Sequence, residues 1–426
     1  MKRSSPSKDD LTTSQPLLFK VQSDMNSLKI CRTQQSTVVV DKANEEVQSS
    51  IVTIFTIWNS MMGVSILSIP WGIHQAGLFF GLSLLIFMGI MSFYTAYLIT
   101  SSQKQLETAE PAVYELSDVC RILFGRVGEI VAVSFSILVL IGVVLAYWVL
   151  MSNFLYFTGK RIHELITFGV TGNSSDSGGI CGTYCDAENT LAWLSNDTTE
   201  KAGLCGAHCD FIDSESPQYI EGFSWNFPAL TGMLTMSYFI HNTILGIFRC
   251  QRNPENNARD LCVAYGLVLL TYIFIALTFY VTFPLSRDCI QDNLLNNFHA
   301  DYALSSIARV LIFFQCFTIF PLIAYFIRSQ ISCMIYNNPW PGIGFVVALN
   351  AVLVISGVCV AIFYPNVGAI VRYFGAAAGV IIVYTLPCLI YMKLSHTANS
   401  LTIPKIVFHS CIIIFGIANV IGQLLV

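Results

Sequence analysis

Charged residues are scarce in this 426-residue chain. Only 11% of the residues are charged, whereas 54% are hydrophobic, and the mean hydropathy is +0.63. A soluble protein carries about 25% charged residues, so the deficit indicates that lipid surrounds most of the chain. The net charge of −4 and the lack of long basic runs also argue against nucleic acid as a partner.

Tyr and Trp are missing from the first fifty residues. Residues 1–50 are instead rich in Ser, Thr, Gln and Lys. Such a composition buries too little apolar surface to offset the entropy of folding. We therefore expect a flexible tail at residues 1–50 and a transmembrane domain at residues 51–426.

Long apolar segments define the predicted architecture. A spanning helix needs about 20 mostly apolar residues, and nine segments meet that requirement. The sequence therefore predicts an all-α polytopic membrane protein with about nine spans. The predicted spans are Val52–Gly72, Leu78–Ile99, Val131–Phe157, Pro228–Phe248, Leu261–Phe283, Tyr302–Phe326, Gly342–Tyr364, Ala369–Tyr391 and Ile406–Val426.

Lys and Arg residues are distributed unevenly between the predicted loops. Sixteen of the 22 lie in the tail or in loops on its side of the membrane, and only Lys160, Arg161, Lys201 and Arg287 lie in loops on the other side. Cytosolic loops carry an excess of Lys and Arg. The tail is therefore expected in the cytosol, and an odd number of spans puts the C-terminus in the lumen.

The longest predicted luminal loop, residues 158–227, has features of a secretory-pathway lumen. Asn173 and Asn196 each begin an N-x-[ST] glycosylation pattern. The loop also contains two C-x3-C pairs, for which disulfides and a zinc knuckle are the alternatives, and an oxidising lumen favours disulfides. The disulfide candidates in the luminal loops are Cys181, Cys185, Cys205, Cys209 and Cys289.

Ionisable side chains are almost absent from the centres of the predicted helices. A ligand would therefore be held by backbone, hydroxyl and amide groups. No nucleophile–base pair or metal cluster indicates an enzyme or a cofactor, and His241 is interpreted as a packed or substrate-adjacent histidine.

The first span is unusually rich in small and polar residues. Asn59, Ser60 and Gly63 lie in its middle, where Gly costs about 1 kcal/mol relative to Ala and buried amides need partners. A helix broken near Asn59–Val64 would expose N–H and C=O groups that bind an anion and a cation. Close helix–helix packing is the alternative explanation of the same residues.

The same span carries a family resemblance. Its run WNSMMGVSILSIPWG, followed by His74-Gln-Ala-Gly77, resembles the first helix of amino acid/auxin permease transporters, above all of their lysosomal, arginine-sensing members. The resemblance covers most of residues 51–426. Further matching motifs are Tyr147–Phe154, Phe239–Asn242, Glu255–Asp260, Phe363–Asn366 and Arg372–Gly375.

The resemblance implies an inverted-repeat fold like that of LeuT and the APC transporters, with eleven helices around a midplane site. It also implies a Na⁺ site between Asn59 and Thr318, although Thr318 could equally be a helical threonine bonded to its own turn. The implied substrate-binding residues are Asn59, Ser60, Met61, Met62, Gly63 and Val64.

Three differences from the family pattern are visible. Nothing matches the fourth and fifth helices, so two helices of the first repeat are expected to be missing. Val64 replaces a Thr of close relatives. Relatives also dock the Rag GTPase–Ragulator complex, and so signal to TORC1, through Tyr-bearing motifs of the tail, whereas no Tyr precedes Tyr94 here.

The sequence therefore predicts a secondary active amino acid transporter of a lysosomal or late endosomal membrane. Its expected substrates are arginine, leucine, glutamine and related neutral amino acids, with Na⁺ as the implied coupling ion. An amino acid sensor with little flux and a transport-incompetent splice form are the alternatives.

Overall fold

The computed structural model describes residues 48–106, 115–168, 220–283, 287, 290–298, 302–336, 338 and 340–425, and these are almost entirely helical. Seven helical stretches in them are long and apolar enough to cross a membrane, judged by length and composition. These stretches are Leu78–Gln103, Leu116–Lys160, Pro254–Thr282, Ala303–Tyr336, Ile343–Phe363, Val367–Thr397 and Ile403–Leu425. The prediction of a polytopic helical membrane protein is confirmed. The count of nine spans and the inverted repeat stay predictions.

The first predicted span is broken, as its composition indicated. Helix α1 spans Ser50–Met61, and the Ser49 side chain caps its start by accepting a hydrogen bond from the Val52 N–H. A four-residue 3-10 helix follows at Val64–Leu67. Helix α2 (Ile69–Ala76) completes the segment. Neither α-helix alone is long enough to cross a membrane, which explains why this segment is not among the seven long helices.

Helices α3 (Leu78–Leu106) and α4 (Leu116–Phe168) follow. Gly125 interrupts α4 with a φ of +69°, a conformation that favours glycine. Because α4 extends from Leu116 to Phe168, the predicted third span, Val131–Phe157, is only its central part. Residues up to Phe168 are helical although they were assigned to the luminal loop.

The fourth predicted span, Pro228–Phe248, is also broken, and the prediction of a continuous helix there was wrong. Helix α5 (Phe227–Ser237) ends at Ser237, and helix α6 (Ile244–Arg249) begins only after a non-helical segment. Side chains from other helices bind the carbonyl groups that the break exposes, so the interruption is stabilised by tertiary contacts that hydropathy cannot register.

The remaining predicted spans are present as helices. Asp292 and its neighbours form a loop with a short 3-10 helix (Leu294–Asn297) between the fifth and sixth predicted spans. A π-helix at Val380–Thr385 joins the two halves of the eighth. The helices are α7 (Asn257–Thr282), α8 (Ala303–Tyr336), α9 (Ile343–Phe363), α10 (Val367–Gly379), α11 (Leu386–Thr397) and α12 (Ile403–Leu425).

Gly375 explains why glycines occur in the eighth predicted span. A Cβ atom built on Gly375 would lie 2.5 Å from the carbonyl oxygen of Gly232 on α5. The backbones of α10 and α5 are thus in direct contact, an arrangement that small residues permit in membranes. Gly375 therefore permits α10 to pack closely against the interrupted α5.

Residues that flank the two interrupted segments are joined by backbone hydrogen bonds. The Gln48 N–H donates to the Cys250 carbonyl at 2.7 Å, so the chain two residues before α1 lies beside the residue after α6. At the other end, the Leu78 N–H donates to the Glu221 carbonyl at 2.8 Å, next to the chain that enters α5. The segment α1–α2 and the segment α5–α6 therefore run in opposite directions through the fold.

Of the described residues, Pro321–Ile355 form a second compact unit. Within it the rings of Tyr336 and Phe345 pack edge to face with centroids 5.5 Å apart. The Arg328 guanidinium lies 5.0 Å from the Tyr325 ring centroid and 5.1 Å from that of Trp340. These contacts join the end of α8 to the start of α9.

Candidate functional site

The two interrupted segments meet at the hydroxyl of Tyr272, a fully buried residue of α7. This hydroxyl lies 2.9 Å from the carbonyl oxygen of Met61, the last residue of α1. It lies 3.1 Å from the carbonyl oxygen of Ser237, the last residue of α5. Main-chain carbonyls from both breaks therefore point at one position in the interior.

Bonds of this kind are needed because a helix end leaves its last carbonyls without intrahelical partners. Within a bilayer no water replaces those partners, and each unsatisfied group costs several kcal/mol. The carbonyl of Tyr238, the next residue after α5, is bonded in the same way. It accepts from the Ser92 hydroxyl at 3.0 Å and from the Tyr265 hydroxyl at 3.1 Å.

Side chains inside the second break fix its path. The Nε2 atom of His241 lies 2.9 Å from the Thr95 hydroxyl oxygen, whose own proton points to the Met91 and Ser92 carbonyls of its helix. His241 Nε2 therefore carries a proton and donates it to Thr95. These bonds support the interpretation of His241 as a packed histidine.

Asn242 anchors the same break to another helix. Its side-chain amide donates to the Ser136 hydroxyl of α4 at 3.2 Å. The second break is thus held from two sides, by α3 through His241 and by α4 through Asn242.

The predicted substrate-binding residues lie at the end of α1 and in the break that follows. Asn59, Ser60 and Gly63 are exposed, Met62 and Val64 are half-buried, and Met61 is buried. The Ser60 hydroxyl donates to the Thr56 carbonyl of its own helix at 2.7 Å. The Ser60 hydroxyl is therefore engaged within its own helix, and the backbone of this segment and the Asn59 side chain are the polar groups left to contact a ligand.

Gly63 leaves that backbone accessible. A Cβ atom built on it would meet no heavy atom within 4 Å. Gly63 is also the residue before the 3-10 helix and offers that helix no side-chain cap. Since the first N–H groups of a helix have no internal partners and attract negative charge, this position suits a carboxylate.

Thr318 on α8 makes two hydrogen bonds to its own helix. Its hydroxyl donates to the Phe314 carbonyl at 3.0 Å and to the Gln315 carbonyl at 2.9 Å, and the side chain is exposed. This is the geometry of an ordinary helical threonine, the alternative that the sequence left open. A Na⁺ site at Asn59 and Thr318 stays a prediction.

Sequence reasoning overlooked the residues that hold the breaks together. Tyr265 and Tyr272 are seven positions apart on α7 and so lie on one helix face. Two buried hydroxyls on one face of an apolar helix were a detectable signal, because each needs a partner in the interior. Their partners, Met61, Ser237 and Tyr238, carry no signal, since only their backbone is used.

Several predicted residues lie outside the described residues. The glycosylation and disulfide assignments of these residues stay predictions. They are Asn173, Asn196, Cys181, Cys185, Cys205, Cys209 and Cys289.

Comparison with known proteins shows which family the chain resembles. Residues 46–168 and 210–426 match a family model described as transmembrane amino acid transporter protein. The chain is 39% identical to a sodium-coupled neutral amino acid transporter 9 homolog of Caenorhabditis elegans, over 89% of this chain and 74% of that protein. It is 38% identical to neutral amino acid transporter 9 of Rattus norvegicus, over 88% of this chain and 79% of that protein. It is 36% identical to the protein of that name in Xenopus tropicalis, over 88% and 80%.

Proposed function

The chain belongs to the family of transmembrane amino acid transporters, which are not enzymes, and from this premise we propose that it binds a free amino acid between its two helix breaks and carries it across a lysosomal or late endosomal membrane. The observation that carries the proposal is the convergence of the Met61 and Ser237 carbonyls on the Tyr272 hydroxyl. Two helix breaks that meet inside a membrane domain form a polar site in which no charged side chain is required.

The proposed binding mode uses main-chain groups for the part that all amino acids share. The substrate ammonium is held by carbonyls at the end of α1, and the carboxylate by N–H groups next to Gly63. The segment Ile57–Gly72 contains no charged residue, so dipoles alone compensate the zwitterion. A zwitterion fits such a site because its ammonium meets the negative, carbonyl end of the peptide dipoles and its carboxylate meets the positive, N–H end.

The substrate side chain is proposed to lie beside Met62 and Val64, both of which are half-buried. Methionine is flexible and polarisable and adapts to ligands of different shape. This supports a range of larger substrates, namely leucine, glutamine and arginine. Val64 offers no hydroxyl, so apolar side chains are favoured at that position.

Na⁺ is proposed as the coupling ion, with ligands from the Asn59 side chain and Thr318. Thr318 would have to turn its hydroxyl away from the carbonyls of its own helix to bind the ion. A rotation about χ1 is sufficient for that change, because threonine in a helix occupies two rotamers.

The proposal is tested with purified protein in liposomes. Uptake of labelled arginine, leucine and glutamine is measured with an inward Na⁺ gradient, with equal Na⁺ on both sides, and with K⁺ alone. We expect saturable uptake of at least one of the three that increases with the Na⁺ gradient. Uptake that is independent of the Na⁺ gradient would contradict Na⁺ coupling but not transport.

The same preparation separates transport from sensing. Saturable binding without uptake would contradict transport and favour an amino acid receptor, and the absence of both would contradict a binding site at the breaks. The lysosomal location is tested by imaging the tagged protein with a lysosomal marker. Signalling to TORC1 is tested by co-precipitation of Rag GTPases and Ragulator with and without arginine.

A further inference from the structure

Tyr272 occupies a position that no other described side chain shares. It is completely buried, and its ring packs edge to face on Tyr238 with centroids 5.5 Å apart. Its hydroxyl is within hydrogen-bond distance of the last carbonyl of α1 and the last carbonyl of α5, at 2.9 and 3.1 Å. A single atom on α7 therefore fixes the separation of the two helix ends.

The Tyr272 hydroxyl offers a single proton to the two carbonyls. A phenol has one proton to donate, so the Met61 and Ser237 carbonyls share one donor. The ends of α1 and α5 are therefore coupled through the same O–H group.

A neighbouring bond attaches α1 to α7 one residue away. The Trp58 indole N–H donates to the Thr271 hydroxyl at 3.3 Å. The Trp58 bond holds the body of α1, whereas the Tyr272 bonds hold its last carbonyl and the start of the break. Tyr272 is thus the contact that acts on the main-chain groups proposed to bind substrate.

We propose that Tyr272 is a positioning residue for amino acid binding, whose hydroxyl aligns the carbonyl ends of both helix breaks without itself contacting the substrate. The inference rests on the proposed function, since it specifies how that site is held. Without the hydroxyl, the Met61 and Ser237 carbonyls lose a common donor. Each is then free to turn, and the ammonium-binding geometry is no longer set before the substrate arrives.

The first test replaces Tyr272 by Phe, which keeps the ring and removes only the hydroxyl. The matched control is Tyr280→Phe, the same change at another fully buried tyrosine of α7, whose ring faces Arg287 rather than a break. Uptake in proteoliposomes gives KM and maximal rate, and thermal unfolding in detergent gives stability.

We expect Tyr272→Phe to raise KM about three- to eighteenfold, the factors that correspond to an average and to the strongest interhelical hydrogen bond in a membrane. The maximal rate should change less than KM, and Tyr280→Phe should leave KM within about twofold of the unchanged protein. A purely structural role of Tyr272 predicts that Tyr272→Phe lowers stability and leaves KM unchanged. That result would overturn the proposal.

A second variant keeps the proposal testable if Tyr272→Phe does not fold. 3-Fluorotyrosine in place of Tyr272 keeps the ring and the hydroxyl, and its fluorine makes the hydroxyl a stronger hydrogen-bond donor, so KM should fall. An unchanged KM with 3-fluorotyrosine would then contradict the inference. If the unchanged protein neither binds nor transports amino acids, the proposed function itself fails, whereas normal uptake with unaltered KM in the variants refutes only the role of Tyr272.

Discussion

The carboxylate of Asp292 accepts a hydrogen bond from the backbone N–H of Gly368 at 3.0 Å. This bond joins the loop between α7 and α8 to the first turn of α10, where the Asn366 side chain caps the Ala369 N–H at 2.7 Å. Burial raises the pKa of the Asp292 carboxyl above its ordinary value of 3.8, and hydrogen bonds from backbone N–H groups, including those of Gly368 and Val367, offset this only in part. The loop contact is therefore sensitive to pH.

The first prediction is that acid stabilises the protein through Asp292. Because its pKa is higher in the folded than in the unfolded protein, the folded state binds more protons between pH 3.8 and the raised pKa. The free energy of unfolding contributed by this group is full below pH 3.8 and is lost as the pH rises through the raised pKa. Within that window the slope is at most about 1.4 kcal/mol per pH unit.

Asp292→Asn tests the pH prediction. The amide oxygen still accepts from the Gly368 N–H, but the group no longer titrates. We expect the melting temperature of the variant to exceed that of the unchanged protein at neutral pH and to depend less on pH in the acidic range. Parallel pH profiles for the two proteins would show that Asp292 does not cause the dependence.

The second prediction concerns the hydrogen bond between Thr95 and His241. Thr95→Val removes the acceptor of a completely buried N–H group and should lower the free energy of unfolding by about 1 kcal/mol. Thr100→Val is the matched control, since the Thr100 hydroxyl donates to the Tyr97 carbonyl of its own helix. Melting temperatures measured in detergent compare the two. Equal effects would mean that the interhelical bond does not stabilise the second break.

The two helix breaks differ in how far the sequence predicts them. Gly63 and the hydroxyl and amide residues around it are a local signal, and the break after Met61 is where that signal suggests. The second break, Tyr238–Thr243, contains no glycine, and its three polar residues are grouped at its end, after the apolar Phe239 and Ile240. It forms because Ser92 and Tyr265 bind the Tyr238 carbonyl, and neither residue is near in sequence.

The proposed binding site is likewise only partly predictable from the sequence. Asn59 and Gly63 could be selected because their side-chain chemistry is unusual for a spanning helix. The contact between Tyr272 and the Met61 carbonyl joins residues 211 positions apart and uses a backbone atom that every residue possesses. Such a contact is specified by tertiary packing, so one sequence read alone does not indicate it.

The third prediction tests the close approach of α10 to α5. A methyl group at Gly375 would lie 2.5 Å from the Gly232 carbonyl oxygen and 2.8 Å from the Met236 Cβ. Gly375→Ala must therefore push the helices apart, and we expect a loss of about 1–3 kcal/mol in the free energy of unfolding. Uptake should fall with it, because α5 supplies the Ser237 carbonyl.

Gly266→Ala on α7 is the control for Gly375→Ala. A Cβ atom there would meet no heavy atom within 4 Å, and alanine favours a helix over glycine by up to about 1 kcal/mol. Thermal unfolding should show this variant to be as stable as the unchanged protein or more so. Destabilisation of both variants to the same extent would rule out the Gly232 contact as the cause.

The last prediction concerns Val64, the half-buried residue that follows Gly63. Val64→Thr adds a hydroxyl beside the backbone proposed to hold the substrate. One added hydrogen bond contributes about 0.5–1.5 kcal/mol net, which corresponds to a two- to tenfold change in affinity. We expect KM for a polar substrate such as glutamine to fall by about that factor, while KM for leucine stays the same or rises, since leucine offers the hydroxyl no partner.

Val52→Thr makes the same change on the same helix, at an exposed position in the first turn of α1. Its hydroxyl should bond to its own helix or point away from the protein. The ratio of KM values for glutamine and leucine should therefore not change. The ratio, rather than either KM alone, is the decisive measurement, because a general distortion of α1 would alter both substrates together. If Val64→Thr leaves the ratio unchanged, the substrate side chain does not lie beside Val64, and the binding mode proposed for the first break is wrong at that position.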